Sequence, residues 1–514
     1  MSMLARGSRG RTSPRRRTLP IVAAILTLAL VAAACTKTGG GNSRSRTDED
    51  REVGGFANQS LSIGARAPFV RPTAYPAPVS LPKSTPIKHV VFIIKENRTF
   101  DTYFGRYPGA DGATTGKTLD GRTVPLTPAP DVMAGPIVHG FWSGLYSVDG
   151  GRMDGFNTID GGHDLENYVE MDRAGIPAYW KYADRFVLGD HFFTSMYGPT
   201  HPEHLYTIAA QSAGIMDNKA QTAPSPGRYC DDKLGYSPAF PQDLSADTLA
   251  HIIDLENHIV DNSPANAREI QSYAHSIRDC LDIKTLPEEL QKAGIDWKFY
   301  SDPVFPIGDI MREIKKVRYG PMWKNVVPSV SFLNDIKSGH LAQVSWVNPP
   351  APYNEHPELP RRVQSVCAGE NWTVAVMNAL QRSPDWKNTA VVIVWDDFGG
   401  FYDHLTPPQY DIMGLGARTP ALFLSPWTVH GSNPLGGSVD TNTYEFSSVL
   451  RFIEEIFHVP ALTQRDRLAD PLSNAFDFSQ APDMHKLILP LRQDCPYGTS
   501  TPFTDDDNLV PTAG

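Results

Sequence analysis

The sequence predicts an α/β layered sandwich, in which a central, mostly parallel sheet is flanked by helices. Three observations predict it. Short apolar runs recur at 90–94, 297–300, 344–347, 391–395 and 421–424, each with the length and the β-branched or aromatic content of a buried strand. Helix-like segments, such as TLPEELQKAG (285–294) and SSVLRFIEEIFH (447–458), are interspersed with them. Four of the runs then break off into polar clusters: Glu96-Asn97, NPPAPYNEHP (348–357), DDFGGFYDH (396–404) and SPW (425–427). Parallel sheets carry their ligand sites outside the carboxyl ends of their strands, so several such clusters on one edge make a site.

The chain begins with an export signal. Arg15, Arg16 and Arg17 precede an apolar run over 19–34 that is too short to span a bilayer comfortably and ends VAAAC at Cys35. Small residues before a cysteine resemble the end of a bacterial lipoprotein signal, with Cys35 as the lipidated new N-terminus. The expectation is a signal peptide over 1–35 and an exported protein, either anchored through Cys35 on the extracytoplasmic face of the membrane or secreted. Residues 36–85, rich in Gly, Ser, Arg, Pro and Ala, read as a disordered tether. The catalytic body is expected over 86–495 and a polar tail over 496–514.

Of the 514 residues 41% are apolar and 20% charged, the balance of a globular protein, and 41 Gly with 44 Pro imply many turns. The formal charge is −10, although the first 35 residues hold six Arg and no acid. The body is therefore distinctly acidic, which argues against nucleic acid as a partner and against tight electrostatic docking on anionic lipid. Besides Cys35 there are Cys230, Cys280, Cys367 and Cys495. In an exported protein this even number suggests two disulfides, with three pairings open.

The chemistry starts from Asp396 and Asp397, which follow a buried strand and precede Gly399, Gly400, Asp403 and His404. Adjacent carboxylates repel unless a cation neutralises them. Glu96, Asn97, Asp396 and Asp397 make an oxygen-rich set that Mg²⁺, Mn²⁺ or Ca²⁺ accepts, without excluding Zn²⁺. A surface turn or helix cap would explain one such Asp pair alone.

At these residues the chain resembles a known family. ENRTFDTYFG, MDGF (153–156), YGPTHPEHLY (197–206), NEHP and DDFGGFYDHL are similar to motifs of the bacterial and plant phosphoesterase family, which includes non-specific phospholipases C and secreted acid phosphatases. GLGARTPALFLSPW, EFSSVLRFIEEIF and LTQRD continue the likeness in order, over about 86–480. The resemblance implies an alkaline-phosphatase-like fold and a divalent metal held by Glu96, Asn97, Asp396, Asp397 and a nucleophilic hydroxyl. That hydroxyl is Thr200 by motif position, with Thr194 and Ser195 as alternatives. Where the family reads TxPNR, this chain reads Thr200-His201-Pro202-Glu203-His204, so the family's Asn and Arg are replaced. His139, His356 and His404 are expected around the transferring phosphoryl group as cations or proton donors. Arg98 reads as a structural ion-pair partner.

The expected activity is hydrolysis of a phosphoric ester, possible substrates including phospholipid, through a covalent phosphothreonine. Phospholipase C and broad acid phosphatase activity compete within that reading. A non-catalytic binding protein on the same scaffold is the alternative from another class.

Overall fold

The computed structural model describes residues 71–495 except 134, 136, 219–227, 302–305 and 358–363. The expected signal, Cys35, most of the expected tether and the tail lie outside the described residues. Eight strands form one sheet: β1 (His89–Lys95), β2 (Val187–Gly189), β3 (Trp297–Ser301), β4 (Val326–Pro328), β5 (Val344–Val347), β6 (Thr389–Trp395), β7 (Ala421–Leu424) and β8 (Ser438–Asp440). Their order across the sheet is β4-β3-β5-β1-β6-β7-β2-β8. Every neighbouring pair is parallel except the two made by β7.

Strand β1 shows why the sheet sits in the middle. Its residues 90–94 are all apolar and fully buried, as a strand covered on both faces requires. Val90, Phe92 and Ile94 join one core layer with Leu205 and Ile208 of helix α3 (Thr200–Ala209) and Val449 and Phe452 of helix α5 (Phe446–Phe457). Val91 and Ile93 point the other way, to Tyr179 and Tyr182 of helix α2 (Pro177–Arg185) and Trp372 and Val376 of helix α4 (Val366–Arg382). A period of two thus feeds two helical layers. A short helix, α1 (Phe100–Phe104), follows β1 directly.

The five expected strands are present, one of them with a different direction. Ala421–Leu424 is antiparallel to both neighbours, so its carboxyl end and the SPW segment leave the sheet at the far edge, where Ser425 Oγ donates to the Thr389 carbonyl at 2.8 Å. Its amino end, preceded by Arg418 and Thr419, lies at the edge where β1 and β6 finish. Apolar content alone does not carry strand direction. Strands β2, β4 and β8, only three residues each, went unpredicted because their runs are too short to stand out.

Residues 71–85, expected in the free tether, run against the body. Arg71 is buried and donates to Tyr197 Oη (2.6 Å) and to the carbonyls of Leu415 (3.0 Å) and Pro407 (3.1 Å). Tyr75 stacks on Tyr410 with ring centroids 4.1 Å apart. The open question of cysteine pairing resolves as Cys230–Cys280 and Cys367–Cys495. Among the described residues no helix is long and apolar enough to cross a membrane.

A buried ion pair fixes the end of β1. Lys95 and Glu355 have side chains with no exposure, and Lys95 Nζ also donates to Tyr179 Oη (2.6 Å), the Gly369 carbonyl (2.9 Å) and Thr373 Oγ1 (3.0 Å). Glu355 accepts in turn from Tyr103 Oη (2.7 Å) and Trp395 Nε1 (3.0 Å). Burial pulls the Lys95 pKa down against the charge of Glu355. Glu355 holds φ at +74°, and the Glu96 amide donates to the Asn354 carbonyl at 2.9 Å, so the NEHP loop is clamped to the strand. Removing one partner of such a pair strands a buried charge, at about 3–5 kcal/mol. Glu355→Ala is therefore expected to lose about that much stability in urea unfolding; a loss under ~1 kcal/mol contradicts the clamp.

Candidate metal centre and active site

The parallel register pairs Lys95 with Trp395, so Glu96 and Asp396 leave the sheet side by side, and the Asp396 amide donates to the Lys95 carbonyl at 2.8 Å. Asn97 then takes a left-handed conformation (φ 56°), which Asn tolerates better than most side chains. It ends the strand's alternation there. The Asn97 amide N–H donates to Asp396 Oδ1 (2.9 Å) and its Nδ2 to Asp397 Oδ1 (2.5 Å). Gly399 (φ +60°) completes the turn after the Asp pair and donates to Asp397 Oδ1 at 2.7 Å. A Cβ there would lie 2.6 Å from Asn97 Cβ, so only glycine fits.

Thr200 is the first residue of α3, and its Oγ1 lies 3.4 Å from Asp397 Oδ2. The other two candidate hydroxyls differ. Thr194 Oγ1 donates to the Met196 carbonyl (2.7 Å), and Ser195 Oγ is buried with no hydrogen-bond partner among the described residues. Only Thr200 of the three bonds to the carboxylate set. Gly198 lets the preceding loop run close to His139, because a Cβ on it would meet the His139 carbonyl at 2.8 Å.

His139 and His356 pair beside this set, with ring centroids 6.1 Å apart. His139 Nε2 is 3.3 Å from Asn97 Nδ2 and 3.8 Å from Asp397 Oδ2. The Nδ1 of His139 faces the Ile137 carbonyl and that of His356 the Pro357 carbonyl, so each Nδ1 donates and each Nε2 keeps its lone pair. Burial holds the His139 pKa low and takes that of His356 to about 3, His139 adding to the effect at His356. Burial thus works against the cationic form that the sequence reading expects of these two rings.

His404 belongs to a different cluster. Its Nδ1 lies 2.8 Å from Asp101 Oδ2 and its Nε2 3.2 Å from Asp111 Oδ1, and among the described residues no hydrogen bond joins it to Glu96, Asn97, Thr200, Asp396 or Asp397. Burial opposes its charging, but the hydrogen bond to Asp101 and the charges of Asp101 and Asp403 win, so its pKa is raised. Asp101, Asp403 and His404 could in principle hold a cation. The Arg418 guanidinium already fills that role, donating to Asp403 Oδ1 (2.9 Å) and Asp101 Oδ1 (3.3 Å). Arg98 likewise differs from expectation: it donates to the Asn97 carbonyl (2.6 Å) and stacks over Phe401 (5.0 Å), with π faces in place of a carboxylate.

Sequence reasoning missed His204. It lies four residues beyond Thr200 on α3, hence on the same face, and that spacing was the available signal. Its Nε2 is 3.7 Å from Glu96 Oε1 and 3.8 Å from Asp396 Oδ2. The neighbouring substitution, Glu203, is structural, accepting the amides of Ser195 and Met196 at 3.0 Å each. His201 turns away to Glu313 at 2.7 Å.

These buried groups could bind a metal ion. Glu96 Oε2, Asn97 Oδ1, Asp396 Oδ2 and both His204 nitrogens are buried without a hydrogen bond among the described residues, and Glu96, His204 and Asp396 offer ligand atoms within 4.8 Å of one another. Burial chiefly raises the acids, with the charge of Asp396 adding to it at Glu96 and that of Asp397 at Asp396: Asp396 to about 6, Asp397 to about 7, and Glu96 well above its ordinary value.

The Phosphoesterase family profile matches residues 87–460. The chain belongs to that family. This phosphoesterase is 25% identical to the hemolytic phospholipase C of Pseudomonas aeruginosa over 77% of its own length and 57% of that protein's. It is 25% identical to phospholipase C B of Mycobacterium tuberculosis, covering 78% and 80% of the two chains. It is 24% identical to non-specific phospholipase C4 of Arabidopsis thaliana, covering 82% and 75%. The phosphoesterase thus spans little more than half of the Pseudomonas relative. Among solved structures, a protein in the alkaline phosphatase superfamily from Vibrio parahaemolyticus aligns with 83% of this chain and 79% of its own, at 9% identity and a TM-score of 0.34. A likeness at that score decides nothing about the site.

The raised acids have a measurable consequence. At Asp396 and Asp397 the folded chain without metal binds more protons than the unfolded chain between the ordinary Asp value of 3.8 and the raised values of about 6 and 7. The contribution of these two acids to stability therefore falls as pH rises through that window, whereas the lowered His139, His204 and His356 contribute the opposite slope below about 6.5. A divalent ion binds the deprotonated carboxylates and restores most at the upper end. In thermal unfolding, chelator-treated protein should have a lower Tm at pH 7.5 than at pH 5, and metal should raise Tm more at pH 7.5. A pH-independent gain from metal contradicts this reading of the carboxylates.

Proposed function

We propose that this chain is an exported, metal-dependent phosphoric ester hydrolase of phospholipase C type, acting through a phosphothreonine at Thr200. The single observation that carries the reading is the Thr200 hydroxyl 3.4 Å from Asp397 within a buried oxygen-rich set. The relatives named as phospholipases C support the reaction class.

Glu96, Asn97, Asp396, Asp397 and Thr200 would hold the ion, whose identity among Ca²⁺, Mg²⁺, Mn²⁺ and Zn²⁺ their oxygens leave open. A bound cation would ease deprotonation of the Thr200 hydroxyl and neutralise developing charge on the phosphoryl oxygens. Thr200 Oγ would form the new bond to phosphorus as the bond to the leaving alcohol breaks, its proton passing to Asp397 and from there to the departing alkoxide oxygen. Water would then attack the phosphothreonine, giving a proton to His139 that returns to Thr200 Oγ as the Oγ–P bond breaks and the phosphorylated head group leaves. His139, with Nδ1 committed to a carbonyl and Nε2 carrying the lone pair that Asn97 Nδ2 faces at 3.3 Å, suits the role of base in that step, and His356 orients beside it. His404 serves the fold instead, tying α1 to the turn after β6 through Asp101.

Export and anchoring belong to the same reading. The six arginines, the apolar run and Cys35 motivate it, and two acyl chains hold a protein on a bilayer where one does so only marginally. A mature N-terminus found elsewhere than Cys35 contradicts the anchor.

The enzymatic test uses Thr200→Ala and two substrates, p-nitrophenyl phosphorylcholine for the diesterase and p-nitrophenyl phosphate for the phosphatase. Thr200→Ala should lower turnover at least ~10³-fold, and chelator should abolish it in the wild type. Preference for the monoester moves the assignment to acid phosphatase. Full activity in Thr200→Ala, with phosphate trapped on Thr194 or Ser195, overturns the nucleophile.

A further inference from the structure

We infer that His204 is itself a ligand of the metal, giving an otherwise oxygen-based centre one nitrogen and biasing it towards ions such as Zn²⁺. The inference rests on the metal-dependent reading above and adds to it a residue that the family-like motif does not supply, since TxPNR has Arg where this chain has His204.

The geometry argues it in three steps. The ring is fully buried, and neither nitrogen has a hydrogen-bond partner among the described residues. A buried imidazole left without partners is costly, so one nitrogen is expected to meet something. Its Nε2 then faces two carboxylate oxygens at 3.7 Å (Glu96 Oε1) and 3.8 Å (Asp396 Oδ2), with Glu96 Oε2 and Asp396 Oδ2 themselves unbonded.

Those separations discriminate between two ways of joining an imidazole to carboxylates. An imidazolium ion pair closes to about 2.7–2.9 Å, as a charge-assisted hydrogen bond does. A shared ion with ligand bonds of about 2.0–2.2 Å instead leaves its ligand atoms well beyond hydrogen-bonding distance when they subtend a wide angle. The observed spacing matches the second case. The ring is also held in place: it sits four residues along α3 from Thr200, and a Cβ on Gly308 would lie only 3.3 Å from its Cε1, so the backbone there walls it in.

The contrast with His201 on the same helix supports the assignment. His201 has its own carboxylate at 2.7 Å, a normal hydrogen bond to Glu313. His204 stands off from both of its carboxylates. An imidazole ligand favours Zn²⁺ and related transition ions over Ca²⁺ and Mg²⁺, which prefer oxygen alone.

The test compares metal binding by the full chain in wild type, His204→Gln, His204→Asn and Asp397→Asn. Zn²⁺ and Ca²⁺ affinities are measured by competition with chelating dyes, the Co²⁺-loaded form by its visible absorption, and wild-type Zn²⁺ by X-ray absorption at the zinc edge. Replacing His204 should weaken Zn²⁺ at least ~10²-fold, beyond the loss typical of groups that only support a ligand, and alter the Co²⁺ bands, while Ca²⁺ changes far less. The zinc edge of the wild type should show imidazole scattering, a readout that survives even if both His204 variants fail to fold. An all-oxygen shell in the wild type, or unchanged Zn²⁺ affinity and Co²⁺ spectrum in a folded variant, overturns the inference. Loss of metal in Asp397→Asn beside such a result leaves the broader metal reading standing. A wild type that binds none of these ions overturns both.

Discussion

Three carboxylates, Glu96, Asp396 and Asp397, are buried at one sheet edge, and among the described residues no guanidinium or ammonium pairs with them. Like charges in a low-dielectric setting repel strongly and lose their hydration, so a fold that gathers them must neutralise them. Much of the surrounding architecture serves to hold them there. The β1–β6 register delivers Glu96 and Asp396 together, the left-handed Asn97 and Gly399 turn the chain so that amides reach the acids, and the Lys95–Glu355 pair clamps the loop that brings in His356.

The same molecule contains a control for this argument. Asp101 and Asp403 are also buried and also adjacent to a histidine, yet Arg418 lies between them and satisfies their oxygens. That cluster is closed, a structural solution made of protein alone. At the Glu96 cluster Glu96 Oε2, Asn97 Oδ1, Asp396 Oδ2 and both nitrogens of His204 have no hydrogen bond among the described residues. Two clusters of similar composition thus differ in whether a protein cation balances their charge.

The fold class was legible in the sequence because the central strands are buried on both faces and read as unbroken apolar runs. The direction of β7 was not, since Ala421–Leu424 looks the same whichever way it runs, and only its pairing with β6 and β2 moves SPW to the far edge. The acids that the structure gathers at one edge were legible as strand-end carboxylates. His404 was misleading, because its nearness in sequence to Asp397 does not bring it to the same cluster once the glycine turn and Arg418 intervene. His204 was hidden by its motif slot, where only the turn of α3 reveals that it shares a face with Thr200. The cysteine pairing needed three dimensions.

The most direct measurement is anomalous diffraction from crystals of the metal-loaded protein, recorded on either side of the absorption edge of the added ion. The account predicts a strong anomalous peak bounded by Glu96, Asp396 and Asp397, at about 2.0–2.6 Å from carboxylate oxygens. An active protein whose three acids are intact in the map, with no anomalous peak between them, would contradict it.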